Sequence, residues 1–173
     1  MSQPTPDRFN SRRGRSVAIR QANPQDAPAL AALFGGLSAR SVERRYMMPR
    51  RLPPELARRE ASRLTDQRGD RIVLVATTDE EGTPIVAVAE LARDGAEPSV
   101  AESAVVVADA YQGEGIGRAV LGRLADAARE AAISHMRAIT RADNTPIRQL
   151  IASSGRPYQA RFAGGEVHYE IAL

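Results

Sequence analysis

The sequence predicts a mixed α/β domain, in which a partly parallel sheet carries helices on both faces. Residues 105–132 pass from a β-branched run through a loop holding Gly113, Gly115 and Gly117 into apolar and charged residues at helical spacing, so they read as strand, glycine loop and helix. Residues 71–78 and 84–93 are apolar runs separated by Asp79-Glu80-Glu81-Gly82, the pattern of a hairpin. Strands and helices follow in an irregular order rather than in strict alternation, which a mixed sheet accommodates.

Taken in order, residues 1–15 combine Pro, Ser and Arg with one large apolar side chain and are expected to be a disordered, basic extension. Residues 16–20 alternate and read as a first strand. Asn23-Pro24 starts a helix with Asp26 in its first turn, and Gly35-Gly36 ends it. Two short helices follow in 37–63, the first begun by Ser38 or Ser41, interrupted at Pro49, the second begun by Pro53-Pro54-Glu55. After the hairpin and a loop at 94–99, the strand at 100–107 feeds the glycine loop and the helix at 115–132. A strand at 136–141, a helix at 145–153 and strands at 158–162 and 166–172, joined at Gly164-Gly165, complete the chain.

A chain of 173 residues is expected to form one domain with a substantial core. Without cysteine there can be no disulfide framework, cysteine zinc site or cysteinyl intermediate. No apolar run approaches ~20 residues, and no signal-peptide pattern opens the chain, so a soluble cytoplasmic protein outside the membrane is expected. All 24 basic residues are arginine. Compositional bias accounts for this, and it would also leave a lysine-modifying enzyme with no side chain of its own to modify. Residues 40–63 carry +5 and residues 64–173 carry −5, so charge is concentrated early in the chain. A basic patch of that kind can bind nucleic acid, but with three Phe, four Tyr and no Trp there is little to stack bases, and an acidic protein surface or an anionic cofactor is the better partner. His135 and His168 lack a second ligand in sequence and are expected to be structural; no metal site is expected.

Glycines at the start of a helix let main-chain N–H groups converge where the helix dipole is positive, so the loop is expected to hold a phosphate. Arg118-Ala119 after Gly117 provides no Lys-Ser/Thr for a nucleoside triphosphate and its metal. The dinucleotide fingerprint would need its third glycine at Arg118. A turn that merely starts a helix is the plain alternative. What remains is Gln112-x-x-Gly115-x-Gly117.

At these residues the sequence resembles the Gcn5-related N-acetyltransferase superfamily, whose order of elements overlays 16–173 as a single domain. The resemblance implies a mostly antiparallel sheet splayed beside the glycine loop, with acetyl-CoA in the gap. Its pyrophosphate would lie on the amides of Gln112, Gly113, Glu114, Gly115, Ile116, Gly117 and Arg118. Arg118 would add a charged contact or remain an exposed helix arginine. The pantetheine arm would lie along Val105, Val106 and Val107, mainly through the backbone of Val105 and Val107, and reach Asn144, which also suits a helix cap. Residues 37–55 resemble a branch of bacterial protein lysine acetyltransferases and acyl-CoA synthetase-associated domains, through Ser38, Ser41, Arg45, Tyr46, Leu52 and Glu55. Ala-Glu-Ser-Ala-Val-Val-Val resembles the strand on which that branch carries its general base, implying that role for Glu102; Glu90 and Asp109 are alternatives. A tyrosine acid usual in the family is replaced by Ile151, so Tyr158 or water would protonate the departing thiolate, or the thiolate would leave unaided.

The expected activity is acetyl-CoA-dependent transfer of an acetyl group to a primary amine, a protein lysine ahead of a small amine, by direct attack in a ternary complex. A non-catalytic acyl-CoA sensor is the alternative, and a monomer or homodimer is expected.

Overall fold

The computed structural model describes residues 6–66 and 70–173. Among these, eight strands form one sheet: β1 (Asp7–Asn10), β2 (Ser16–Gln21), β3 (Arg71–Thr78), β4 (Ile85–Arg93), β5 (Val100–Val107), β6 (His135–Arg141), β7 (Tyr158–Ala163) and β8 (Glu166–Ala172), in spatial order β1-β2-β3-β4-β5-β6-β8-β7. Neighbours are antiparallel except β5 and β6. This is the mixed, mostly antiparallel sheet expected from the sequence.

Successive strand residues point to opposite faces, so each strand supplies two cores. On β3, Leu74 and Ala76 join a cluster with Ile116, Val120, Leu124 and Ala128. Those four recur every fourth residue along α4 (Ile116–Glu130) and, with Ala125, form its buried stripe. Val73 and Val75 face the other way, onto Leu30 and Phe34 of α1 (Ala27–Gly36), Val42 of α2 (Ala39–Tyr46) and Ala61 and Leu64 of α3 (Pro54–Thr65). Burying each large aliphatic side chain contributes roughly 1.5–3 kcal/mol, so both faces are strongly held. The last helix, α5 (Thr145–Ala152), adds Ile151 to the α4 side.

Local signals set the helix ends. The Asn23 side chain accepts from the Gln25 amide and the Asp26 carboxylate from the Asn23 amide, starting a short 3-10 turn that runs into α1. Ser38, rather than Ser41, caps α2 by accepting from the Ser41 amide at 3.2 Å. α2 ends at Tyr46, before Pro49, where Met47 turns left-handed at φ 58°.

The expected disordered extension is corrected over residues 7–15; residues 1–5 lie outside the described part. Asp7–Asn10 pairs with β2 from Asp7↔Ile19 to Asn10↔Ser16, and Phe9 packs on the α4-side core. Its order comes from distant partners, Arg8 with Asp79 at 3.1 Å and Asp7 with Arg123, which local composition does not reveal.

The sheet opens between its two halves. β5 and β6 pair only from Val100↔His135 to Glu102↔Arg137, while β5 stays with β4 up to Val107 and β6 stays with β8 up to Arg141. Each strand keeps its antiparallel partner and diverges from the parallel one.

Candidate active site

A cavity of about 610 Å³ fills the gap between β5 and β6, closed at one end by the glycine loop and the starts of α4 and α5. The Ala108 amide bonds the Val86 carbonyl at 2.8 Å, so by antiparallel alternation Val106 turns its peptide groups to β4 while Val105 and Val107 turn theirs into the gap. Val106 also sends its side chain into the α1–α3 core.

The glycine loop is held from several sides. Gly115 precedes α4 at φ +89°, a conformation strained for any residue with a Cβ. At Gly117 an added Cβ would lie 3.3 Å from Val107, so glycine lets α4 start against the end of β5. The Gln112 amide group donates to the Val107 carbonyl at 3.0 Å and to the Ser41 hydroxyl at 3.2 Å, so its side chain positions the loop. Glu114 is 1% exposed and accepts from the Ser11 hydroxyl at 2.7 Å; its side chain is a buttress behind the loop. Ile116 is wholly buried in the core. Among the described residues, the amides of Gly113 and Gly115 have no acceptor, and helix geometry leaves those of Ile116, Gly117 and Arg118 without an intrahelical one. Arg118 lines the cavity while donating to the Ser153 carbonyl at 2.7 Å. Asn144 lines it too, buried, with its side-chain oxygen facing the Ile147 amide at 3.5 Å as the cap of α5.

The acidic candidates separate by their partners. Glu90 is gripped by Arg45 and by Arg63 at 2.8 Å, with Arg71 at 3.9 Å, and is thereby committed to structure. Asp109 accepts from the Ser38 amide at 3.0 Å and from the Ser38 and Ser41 hydroxyls at 2.6 and 2.8 Å. Burial raises its pKa, but the Ser38 and Ser41 hydrogen bonds outweigh this and hold it below the ordinary carboxylate range. Glu102 is exposed, on the same face of β5 as Val106, and its carboxylate has no partner among the described residues. It stands one residue before Ser103, where the lining of the cavity begins.

Tyr158, expected as a candidate acid, lies apart from the cavity. It belongs to β7, the outermost strand, is 42% exposed with its ring 6.1 Å from that of Tyr169, and does not line the cavity. Ile151 does line it, 5% exposed, and brings no hydroxyl.

The Acetyltransferase (GNAT) family model matches residues 39–155. The chain belongs to the GNAT acetyltransferase family. The GNAT domain of S. lividans PAT superposes with a TM-score of 0.84 at 28% identity, covering 97% of each chain. A cAMP-binding acyltransferase from Mycobacterium smegmatis gives 0.63 at 27% identity over 98% of this chain, which spans 47% of that protein. The yncA protein of Salmonella typhimurium, a structure with its cofactor acetyl-CoA, shares the fold with a TM-score of 0.65 at 23% identity over 91% of this chain and 92% of that one.

As a GNAT acetyltransferase, the protein uses acetyl-CoA as acyl donor and an amine as acceptor. The unpaired amides at the start of α4 fit the pyrophosphate, and the open edge of β5 fits the amide-bearing arm. Among the described residues, no group of three or more His, Asp or Glu could hold a metal. No helix among them is long and apolar enough to cross a membrane.

Sequence reasoning missed Arg12, Arg44 and Arg156, which also line the cavity. Composition assigned the +5 of residues 40–63 to an outside partner, whereas Arg45 and Arg63 turn inward around Glu60 and Glu90. Burial raises the Glu60 pKa, but its bonds with Arg63, at 2.7 and 2.8 Å, together with Arg45 and the Tyr46 hydroxyl, carry it below the ordinary range. Three acidic residues at intervals among eight arginines were the available signal that some would pair inside.

Proposed function

We propose that this acetyltransferase acylates a lysine on a protein surface, with Glu102 as general base. One observation carries the reading: the open edge of β5 leads from the glycine loop at Val107 back past Val105 and Ser103 and ends at Glu102, whose carboxylate has no partner among the described residues. Acetyl-CoA supplies a thioester whose C–S bond breaks as the C–N bond forms. Val105 and Val107 would hold its arm in register, and a gap-facing N–H of β5 would polarise the carbonyl. A lysine ammonium must lose a proton before attack, its reference pKa being ~10.4, and Glu102 would take it directly or through one water. With Ile151 where the family's usual tyrosine would be, the thiolate would leave unaided or take its proton from water.

The wall of the cavity favours a protein acceptor over a small amine. Among the described residues it carries five arginines, Arg12, Arg44, Arg45, Arg118 and Arg156, and no aspartate or glutamate. A free cationic amine would find no counter-ion there, while a lysine delivered by its own protein needs none. The exposed Arg40, Arg50 and Arg51 near the α2 side would favour acidic ground around that lysine.

The test is intact-protein mass spectrometry of acidic and basic protein panels with acetyl-CoA, beside a panel of small amines. Mass increments of one acetyl group on acidic proteins, lost with Glu102→Gln, are expected; turnover confined to small amines would refute the protein acceptor.

A further inference from the structure

Residues 7–15 form a strap over the outer side of the glycine loop. Its amide at Arg12 donates to the Glu114 carbonyl at 2.9 Å, and its Ser11 hydroxyl to the buried Glu114 carboxylate at 2.7 Å. The strap's arginines are not equivalent. Arg8 pairs with Asp79 at 3.1 Å. Arg13 and Arg15 lie 3.8 and 3.9 Å from the Glu114 carboxylate, and Arg15 also stacks on Tyr111, 4.6 Å from the ring centre. Arg12 alone turns into the cavity wall: an added Cβ at Gly115 would meet its Cγ and Nε at 3.9 Å. Its guanidinium has no hydrogen-bond or ion-pair partner among the described residues, although its backbone is pinned.

We propose that Arg12 is a phosphate-binding residue for acetyl-CoA, so that the strap completes the donor site and is itself ordered by the donor. The inference rests on the cavity being the acyl-CoA site. Physically, the main-chain donors at Gly113–Gly117 cover one side of a diphosphate, and a planar guanidinium beside Gly115 offers a paired, charge-assisted contact from another. The Glu114 buttress explains why the arm can be precise. The buried carboxylate accepts from Ser11, with Arg13 and Arg15 near it at 3.8 and 3.9 Å, and this bond together with the Arg12 amide on the Glu114 carbonyl fixes where Arg12 starts.

Calorimetric titration of the whole protein with CoA, 3′-dephospho-CoA and pantetheine tests this. Arg12→Ala is expected to weaken CoA binding roughly tenfold, with Arg12→Lys intermediate and Arg8→Ala, on the same strap but outside the cavity, within about twofold of wild type. Pantetheine binding should be unchanged. A penalty that persists with 3′-dephospho-CoA assigns Arg12 to the pyrophosphate, and one that vanishes assigns it to the 3′-phosphate; both uphold the proposal. Hydrogen exchange in residues 8–14 should slow on adding CoA in wild type and much less in Arg12→Ala. Equal CoA affinity for wild type and Arg12→Ala at unchanged Tm overturns it, as does an equal loss for pantetheine. If wild type takes CoA while Arg12→Ala is unaffected, only the role of Arg12 falls; if wild type gives no heat with CoA, the donor site falls as well.

Discussion

The two ends of β5 are built in opposite ways. At the Val107 end the glycine loop is held by fixed contacts: Gln112 bonds Val107 and Ser41, Glu114 bonds Ser11, and Gly117 lies against Val107 itself. At the other end, where β5 pairs with β6 through Glu102↔Arg137, the Glu102 carboxylate is exposed and has no partner among the described residues. The difference matches the two substrates. A diphosphate has one shape and is held best by donors fixed beforehand, because no ordering cost is then left to binding. The proposed acceptor, presented by another protein, would bring its own scaffold, and that end would then need only a free carboxylate.

The largest effect should come at the Glu102 end. Glu102→Gln is expected to lower the transfer rate by about 10²–10⁴-fold, the range for loss of a general base, while CoA affinity stays within about twofold. An equal drop in both would mean that Glu102 serves the donor and would erase the contrast. Glu90→Gln asks whether its neighbour on β4 is purely structural. Removing one charge from the Arg45 and Arg63 grip should cost about 2–3 kcal/mol in denaturant unfolding, partial exposure of Arg63 moderating the loss. Gly115→Ala probes the rigid end. The left-handed conformation costs a residue with a Cβ about 1–2 kcal/mol, so stability should fall by that amount and CoA binding should weaken with it. A variant of normal affinity would show that the loop is less fixed than its contacts imply.

The smallest effect concerns acid. Glu60 and Asp26 have pKa values below their ordinary range: burial raises each, but the bonds to Arg63 and to Arg20 respectively outweigh it. Their contribution to stability is therefore fully present above the ordinary carboxylate range and is lost as pH falls through it toward the lowered folded values. Glu60→Gln should flatten the fall of Tm between neutral and acidic pH; an unchanged slope would place the acid sensitivity elsewhere.

The glycine loop and the helix caps were legible in the chain because their chemistry is local. Gln112, Gly115 and Gly117 lie within six residues, and Asn23 and Ser38 bond amides two or three residues away. The strap was not legible, since Asp7–Asn10 has only Phe9 to bury and takes its order from β2, Asp79 and Arg123. Nor was the inward turn of Arg45 and Arg63, whose partner Glu90 is 45 and 27 residues away. Tyr158 was weighed as an acid on its residue type, and only the strand order put it on the outer edge.

By itself the sequence determined which segments of residues 16–173 become strand, loop or helix and where a glycine loop opens a helix, because propensity, capping and left-handed turns depend on near neighbours. Tertiary structure alone decided which of three carboxylates stays free, which arginines face the cavity and that β5 and β6 part after Glu102. Those outcomes depend on pairings between residues distant in the chain, and no local pattern encodes which charge will already be neutralised when the fold closes.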